Sequence, residues 1–505
     1  MRTTLLIAWA ILVSFNGLAA SGGEPTVRCV DPDDGGCFTT IQSAVDASAA
    51  GDSVEVRLPA DGRPYLESVA VAVPDLTIYG AEPVTFDIDT FEELLAVDFD
   101  AERALCPPVL VDPCDSSDCG VGPTFDIRAS GVTVQRLTTR FPEAFLRLEG
   151  PVDGVTLEDS CLIKGDKFIE TVATEAGEPS GLTVSRNRVY SVFRGSTIRG
   201  DGLRFEWNLL RRHDGLDIIG DNVVLQGNYQ FLTEDGDGLY VIGDGTRMLE
   251  NISRKTTGYG FRLEGDNVTV SGNLVEGVAP RSLHAAGIRI AAVGAAAGDP
   301  ESVPASNATV TGNTVRNTFG AGLTLEADDS AVTQNVFEST GSPHIRQPRR
   351  AASIEVLGSR NQVQNNTVRS GGGVGLVVGG GPFATDNNLL AGNSVENSAK
   401  SGFVITAGTR TTVQNNTAIG GGGEGFGQFA AASHTAFTGN MLSGNRTDMC
   451  SCGSFRDLSG NTFATGGRFR ACVVERGAVE EDCPQVLFAD DFESGDLSAW
   501  SSVVP

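Results

Sequence analysis

Residues 215–228 read GLDIIGDNVVLQGN, and residues 260–273 read GFRLEGDNVTVSGN. GLYVIGDGTRMLEN (238–251) and GSTIRGDGLRFEWN (195–208) align with them without a gap. The four windows begin at Gly195, Gly215, Gly238 and Gly260, which are 20, 23 and 22 residues apart. Each carries Gly-Asp five residues after its first Gly and closes on Asn, at Asn208, Asn228, Asn251 and Asn273. The theme continues more loosely as GIRI, GLTL, SIEV, GLVV and GFVI. The Asn recurs at Asn313, Asn335, Asn366, Asn393, Asn416, Asn440 and Asn461. A period in the low twenties marks a solenoid, in which each unit buries its apolar face only against its neighbours. This overrides the several domains that 505 residues would otherwise suggest.

The apolar residues inside each unit alternate: Leu216/Ile218, Leu239/Val241, Phe261/Leu263, Ile288/Ile290. Alternation over three or four residues predicts a short, half-buried strand. Further short strands follow the Gly-Asp turn, as at Val223/Leu225, and the Asn, as at Tyr229/Phe231. Three short strands per coil define an all-β chain folded as a parallel β-helix. Leucine-rich repeats share the period, but their helical stretch is missing. Gly at the corners supplies positive φ, and Asn tolerates it. Stacked in register, the Asn amides can bond one another from coil to coil. The N-x-S/T triplets at Asn251, Asn267, Asn307, Asn365, Asn415 and Asn445 follow from the same turn code.

Outward residues at one register form a column with rungs ~4.8 Å apart. The middle position of the alternating strand reads Thr197, Asp217, Tyr240, Arg262, Arg289, Thr324, Glu355, Val377, Val404. It is polar and charged from Asp217 to Arg289 and bland beyond. The residue before the leading Gly reads Asp214, Asp237, Tyr259, and the turns leading in include Arg212, His213, His284 and His344. Two chemistries suit these residues. Asp214 and Asp237, in register on adjacent coils, can act as paired carboxylates on a glycosidic bond. Alternatively, Asp214, Asp235 and Asp237 can hold Ca²⁺ against a uronate carboxylate. His213, Tyr259 or Arg262 would then move the sugar's α-proton, with Asp217, Tyr240, Arg289 and Arg212 as substrate contacts. Asp-Gly is also ordinary turn chemistry, and an outward Arg/Asp/Tyr column can be a solvated, mutually paired sheet face. Asp237 and Arg262 are expected to point to water, so that replacing both leaves folding intact.

The stretch CFTTIQSAVDASAAGDSVEVRLPADGRPYLESVAVAVPDLTIYG resembles the start of right-handed parallel β-helix proteins of the pectin-lyase-like superfamily. That resemblance implies a short helix capping the open end of the solenoid. TTIQSAVDASAA fits it, with Thr39 or Thr40 as N-cap and Ile41, Ala44, Val45 and Ala49 on one face. The superfamily includes lyases, hydrolases, epimerases, phage spikes and adhesins, so the fold alone does not choose among functions. The run HDGLDI, DGDGLYV, GYGFRL, GIRI is similar to the motif order of polygalacturonase-type hydrolases, which is TDG, paired Asp, GHG, RIK. Position by position, Asp214, Asp237 and Arg289 match. Gly236 stands where the first Asp of the pair belongs, Tyr259 replaces the His, and Ala291 replaces the Lys. With the general acid lost, an active member of that family is not inferred.

Residues 1–20 have Arg2, an apolar run and small residues, the pattern of a secretory signal peptide. No later apolar run is long enough to span a bilayer. Ten cysteines in an exported chain favour disulfides. Cys29/Cys37 is a local candidate, and Cys106, Cys114 and Cys119 can pair among themselves or with Cys161. Cys450, Cys452, Cys472 and Cys483 cluster late, where zinc is the competing reading. The formal charge of −27 argues against nucleic acid and anionic lipid. The expected organisation is a signal peptide (1–20), cap and first coils (21–100), a Cys-bearing insertion (101–125), β-helix repeats (126–470), and a C-terminal Cys segment with acidic tail (471–505). The tail, VLFADDFESGDLSAWSSVVP, resembles short acidic tails on secreted proteins of Gram-negative bacteria, either a sorting tag or the stub of a lost module. It leaves no room for a membrane barrel, so a self-translocating adhesin is not expected. The combined expectation is a secreted or cell-surface bacterial monomer that binds or processes an extracellular polysaccharide. The alternative is a non-catalytic structural or adhesive β-helix.

Overall fold

The computed structural model describes residues 24–82, 106–113, 122–192, 194–233, 236–279, 285–294, 304–341, 352–381 and 383–463, with short strands beyond at Phe469–Ala471, Val474–Glu475 and Ala478–Val479. The signal peptide, Asp235, His284, His344, Cys114, Cys119 and the acidic tail lie outside the described residues.

The chain winds as a parallel β-helix. One coil runs through Leu216–Ile219, Val224–Gln226 and Tyr229–Thr233, and the next through Leu239–Ile242, Arg247–Leu249 and Ile252–Arg254. Each strand pairs in parallel with its counterpart one coil away, building among the described residues sheets of 12, 17 and 14 strands respectively. A four-stranded sheet of Val69–Val71, Pro123–Ile127, Ala144–Glu149 and Lys167–Val172 continues the 12-stranded face toward the N-terminus. The join is direct: Phe168 N donates to Ser196 Oγ at 2.8 Å.

The alternation read from sequence sorts the side chains. Leu216, Leu239, Phe261 and Ile288 stack in register and are buried, as are Leu225, Met248 and Val270 from the second strand of each coil. Together they form one continuous apolar core.

The repeated Asn is a buried amide ladder. Asn208 Nδ2 donates to Asn228 Oδ1 at 3.0 Å, Asn228 to Asn251 at 2.9 Å, and Asn251 to Asn273 at 3.1 Å, and the series runs from Asn187 to Asn461. Each Oδ1 also accepts a backbone N–H from the preceding coil, and each Nδ2 reaches a backbone carbonyl, as in Asn228 to Phe205 O at 2.6 Å. Full satisfaction is what allows a polar column to run through a dry interior. The residue before each ladder Asn takes the left-handed conformation whatever its type: Arg186, Trp207, Glu250, Gln334, Asn365. Gly227 is a place where the type matters, because its φ is +63° and a Cβ there would lie 2.1 Å from the Trp207 ring.

The predicted helix forms over Ile41–Asp46, with Thr40 as N-cap and Ile41, Ala44 and Val45 buried. It ends earlier than expected, and Ala49 is exposed. The Asp52 carboxylate takes the Ala49 N–H at 2.9 Å and turns the chain at Gly51 (φ +84°). Residues 106–113 are not a bare insertion. Val109 and Val111 join the core, and Tyr65–Leu66 pairs with Val111–Asp112. Disulfides join Cys29 to Cys37 and Cys106 to Cys161. Cys450 and Cys452 are also disulfide-bonded, which removes them as zinc ligands.

Candidate functional site

The outer face of the 12-stranded sheet carries the column expected from sequence: Thr197, Asp217, Tyr240, Arg262, Arg289, Thr324 and Glu355 are in register. Gly215 (φ +114°) turns the chain onto this face, so Asp217 is the first outward residue of its strand. The column also extends N-terminally through Asp126, Arg147 and Glu170. Sequence reasoning missed that extension because these coils lack the Gly-Asp turn. The alternating runs FDI, LRL and IET were the available signal.

Arg262 is the hub. Its guanidinium lies over the Tyr240 ring at 4.2 Å and over Tyr259 at 5.8 Å, and Arg289 lies 5.8 Å from Tyr259 on the next rung. Stacking of this kind holds both arginines in place. Arg262 donates from Nη2 to Glu264 Oε1 at 2.6 Å and approaches Asp237 Oδ2 at 3.5 Å. Asp237 Oδ1 accepts the Tyr259 N–H at 2.9 Å. Glu264 is only 2% exposed, and its other oxygen takes the Gly294 N–H at 3.1 Å. Arg289, 3% exposed, is clasped by Glu326 at 2.9 and 3.2 Å. Glu264 and Glu326, the counter-ions of this network, were not among the sequence candidates.

These contacts correct the expectation that Asp237 and Arg262 simply face water. Removing Arg262 would strand a buried Glu264, which is costly. The expectation that the column turns bland beyond Arg289 is also refined. Val377 and Val404 point outward yet are buried, in an apolar cluster separate from the core, with Ala352, Val374 and Phe429.

Asp217 differs from its neighbours. Burial, reinforced by the charge of Asp237, pushes its carboxyl above the usual range, and Arg262 opposes this only in part. Burial likewise pushes the Tyr240 phenol up to about 12. The other candidates stand apart. Asp214 is half-buried at the corner, Arg212 is exposed near the end of the strand Leu209–His213 before it, and His213 faces inward. His213 is stacked between Val192 and Thr233, and its Nδ1 accepts the Gly215 N–H at 3.1 Å. The proton is therefore on Nε2, which has no partner among the described residues. Among those residues no three His, Cys, Asp or Glu side chains converge as a metal site, and Asp235 lies outside them.

His213 makes a stability prediction. Burial depresses its pKa from 6.5 to about 4. Between those values the unfolded chain binds a proton that the folded one refuses. Stability present above pH 6.5 is therefore lost as pH falls toward 4, by on the order of 3 kcal/mol. His213→Gln should remove that share of the pH dependence. Denaturant titrations at pH 7 and pH 4.5 check this, and equal pH sensitivity in both proteins would refute it.

The family model described as "Right handed beta helix region" matches residues 153–389 and 302–473. No curated protein matches the chain. Among solved structures, an alpha-1,3-glucanase from Streptomyces thermodiastaticus is 15% identical with a TM-score of 0.38, over 85% of this chain and 66% of the glucanase. The chain thus spans just under two thirds of that relative. A polysaccharide lyase from Pseudopedobacter saltans is 11% identical with a TM-score of 0.41, over 74% of this chain and 85% of the lyase. The A-module of a mannuronan C-5 epimerase from Azotobacter vinelandii is 12% identical with a TM-score of 0.32, over 86% and 95%. No helix among the described residues is long and apolar enough to cross a membrane.

Proposed function

We propose that this chain, which belongs to the right-handed β-helix family, works outside the cell as a monomer that binds an extracellular polysaccharide along its 12-stranded face and cleaves it there. One observation carries the reading: two carboxylates on adjoining coils sit in opposite environments. Asp217 is half-buried, pushed toward its protonated form, and makes no hydrogen bond among the described residues. Asp237 accepts the Tyr259 N–H at 2.9 Å and lies 3.5 Å from the Arg262 guanidinium. A carboxyl held toward its protonated form beside a second one bound to a backbone N–H and an arginine supplies the two groups that glycosidic chemistry needs. Asp217 is the general acid and Asp237 the base or nucleophile, with Asp214 at the corner and Tyr240, Tyr259 and Arg262 positioning the sugar. Tyr240 and Tyr259 present rings, and stacked arginines hold them in place at little further entropic cost.

The tight pairing of Arg262 with Glu264 and of Arg289 with Glu326 favours a second reading, a rigid adhesive surface without turnover. Asp217→Asn separates the two. The variant keeps the shape and loses the proton. Cleavage of a glycan that the wild type turns over should fall about 10²–10⁴-fold, with binding retained. The wild-type rate should decline as pH rises through the elevated Asp217 pKa, because the acid must be protonated, and the variant should lack that alkaline limb. A wild type that binds glycans and cleaves none, across a broad polysaccharide panel, would leave the adhesive reading standing.

A further inference from the structure

We infer that the same face carries a second subsite, one that takes a sugar bearing an anionic group, in the depression between Lys167–Val172 and Ser196–Arg199. This rests on the reading of the face as a polysaccharide site and names the class of chain it prefers. The depression, about 230 Å³, is lined by Lys167, Glu170, Thr171, Gly195, Thr197 and Arg199. It lies one rung N-terminal of Asp217, because Thr197 pairs in register with Asp217. A glycan lying along the solenoid axis over Asp217 and Tyr240 would enter it next.

Its charge is the reverse of the molecule's. The chain carries a formal −27, yet Glu170, the one carboxylate among the described lining residues, is already engaged by both Lys167 and Arg147. The Arg199 side chain is exposed and has no hydrogen-bond or ion-pair partner among the described residues. Its backbone N–H is pinned to Thr171 Oγ1 at 2.6 Å, which fixes where the side chain leaves the sheet. Thr197 adds an exposed hydroxyl. The floor is Gly195, which has no left-handed φ. A Cβ there would meet nothing closer than the Gly215 carbonyl oxygen at 3.5 Å. The backbone does not demand glycine at this point, and its effect is to leave the floor open. A guanidinium fork beside an open polar floor matches a carboxylate or a sulfate, each of which accepts two parallel N–H bonds.

The test uses the mature chain with three probes: a uronate hexamer, its methyl ester, and a sulfated neutral hexamer, measured by calorimetry at two salt concentrations. The subsite predicts tighter binding of a charged probe than of the ester, with the advantage shrinking at higher salt. Whether the uronate or the sulfated probe gains names the anion. Arg199→Ala should lower charged-probe affinity about tenfold and leave the ester unchanged. Gly195→Trp should fill the depression and do at least as much, with thermal melting confirming that both variants fold. If the probes bind equally and neither variant changes them, the subsite is wrong while the polysaccharide face stands. If no probe from a broad glycan set binds the wild type, both fail together.

Discussion

Phe261→Asp should yield no folded product. The side chain is fully buried, stacked in register between Leu239 and Ile288 in the core ladder. Removing the ring alone costs roughly 3–5 kcal/mol. An unpaired carboxylate in that dry column adds several more, or forces a protonated acid that still lacks partners. The total approaches the ~5–15 kcal/mol of net stability of a typical domain. A solenoid has no alternative contacts to absorb the damage, because each coil touches only its neighbours, so a failed middle coil uncouples the two halves. Phe261→Leu is the control, keeping an apolar side chain in the same column, and should fold with a modest loss. Soluble yield and the β-type circular dichroism signal report the outcome. A Phe261→Asp protein with wild-type melting would mean that the position is not in the core.

The fold was legible because its determinants are periodic and local. Leu216, Leu239, Phe261 and Ile288 announce their inward direction by alternation alone, and the Asn column announces its stacking by recurring once per coil. The outward direction of Asp217, Tyr240, Arg262 and Arg289 followed from the same parity. What each outward residue touches did not follow. Glu264 lies two residues beyond Arg262, and Glu326 lies one coil beyond Arg289, opposite Ala291, which leaves room for the reach. Partner choice of that kind depends on side-chain length and on what covers the face, and neither has a period. His213 departs from its expected place for a related reason. It ends a strand after the left-handed Arg212 (φ 56°), and that one irregular residue shifts the parity, turning the imidazole from solvent to the interior. The sequence alone puts Asp217 among substrate contacts and Asp214 among catalytic groups. The weight that the proposed function gives Asp217 comes from its burial, which composition and spacing do not report.

Arg289→Ala should destabilise the protein by about 3–5 kcal/mol, more than an outward substitution ordinarily costs. The guanidinium is buried against Glu326, itself 6% exposed, and stacks near Tyr259. Truncation leaves the Glu326 carboxylate without its counter-ion in a site water hardly reaches. Replacing both partners with apolar side chains of similar volume, Arg289→Met with Glu326→Leu, should recover most of the loss, because the pair's attraction largely offsets its own desolvation. Denaturant unfolding of the two single variants and the double variant gives the coupling directly. The same proteins decide what Arg289 does on the face. If it is a structural clasp, the double variant regains stability and binds glycan as the wild type does. If Arg289 contacts the sugar, the double variant regains stability but stays weak in binding, because the donors themselves are gone. A single variant as stable as the wild type would show that Glu326 is not held by Arg289 at all, and the account of a rigid, pre-paired face would have to be given up.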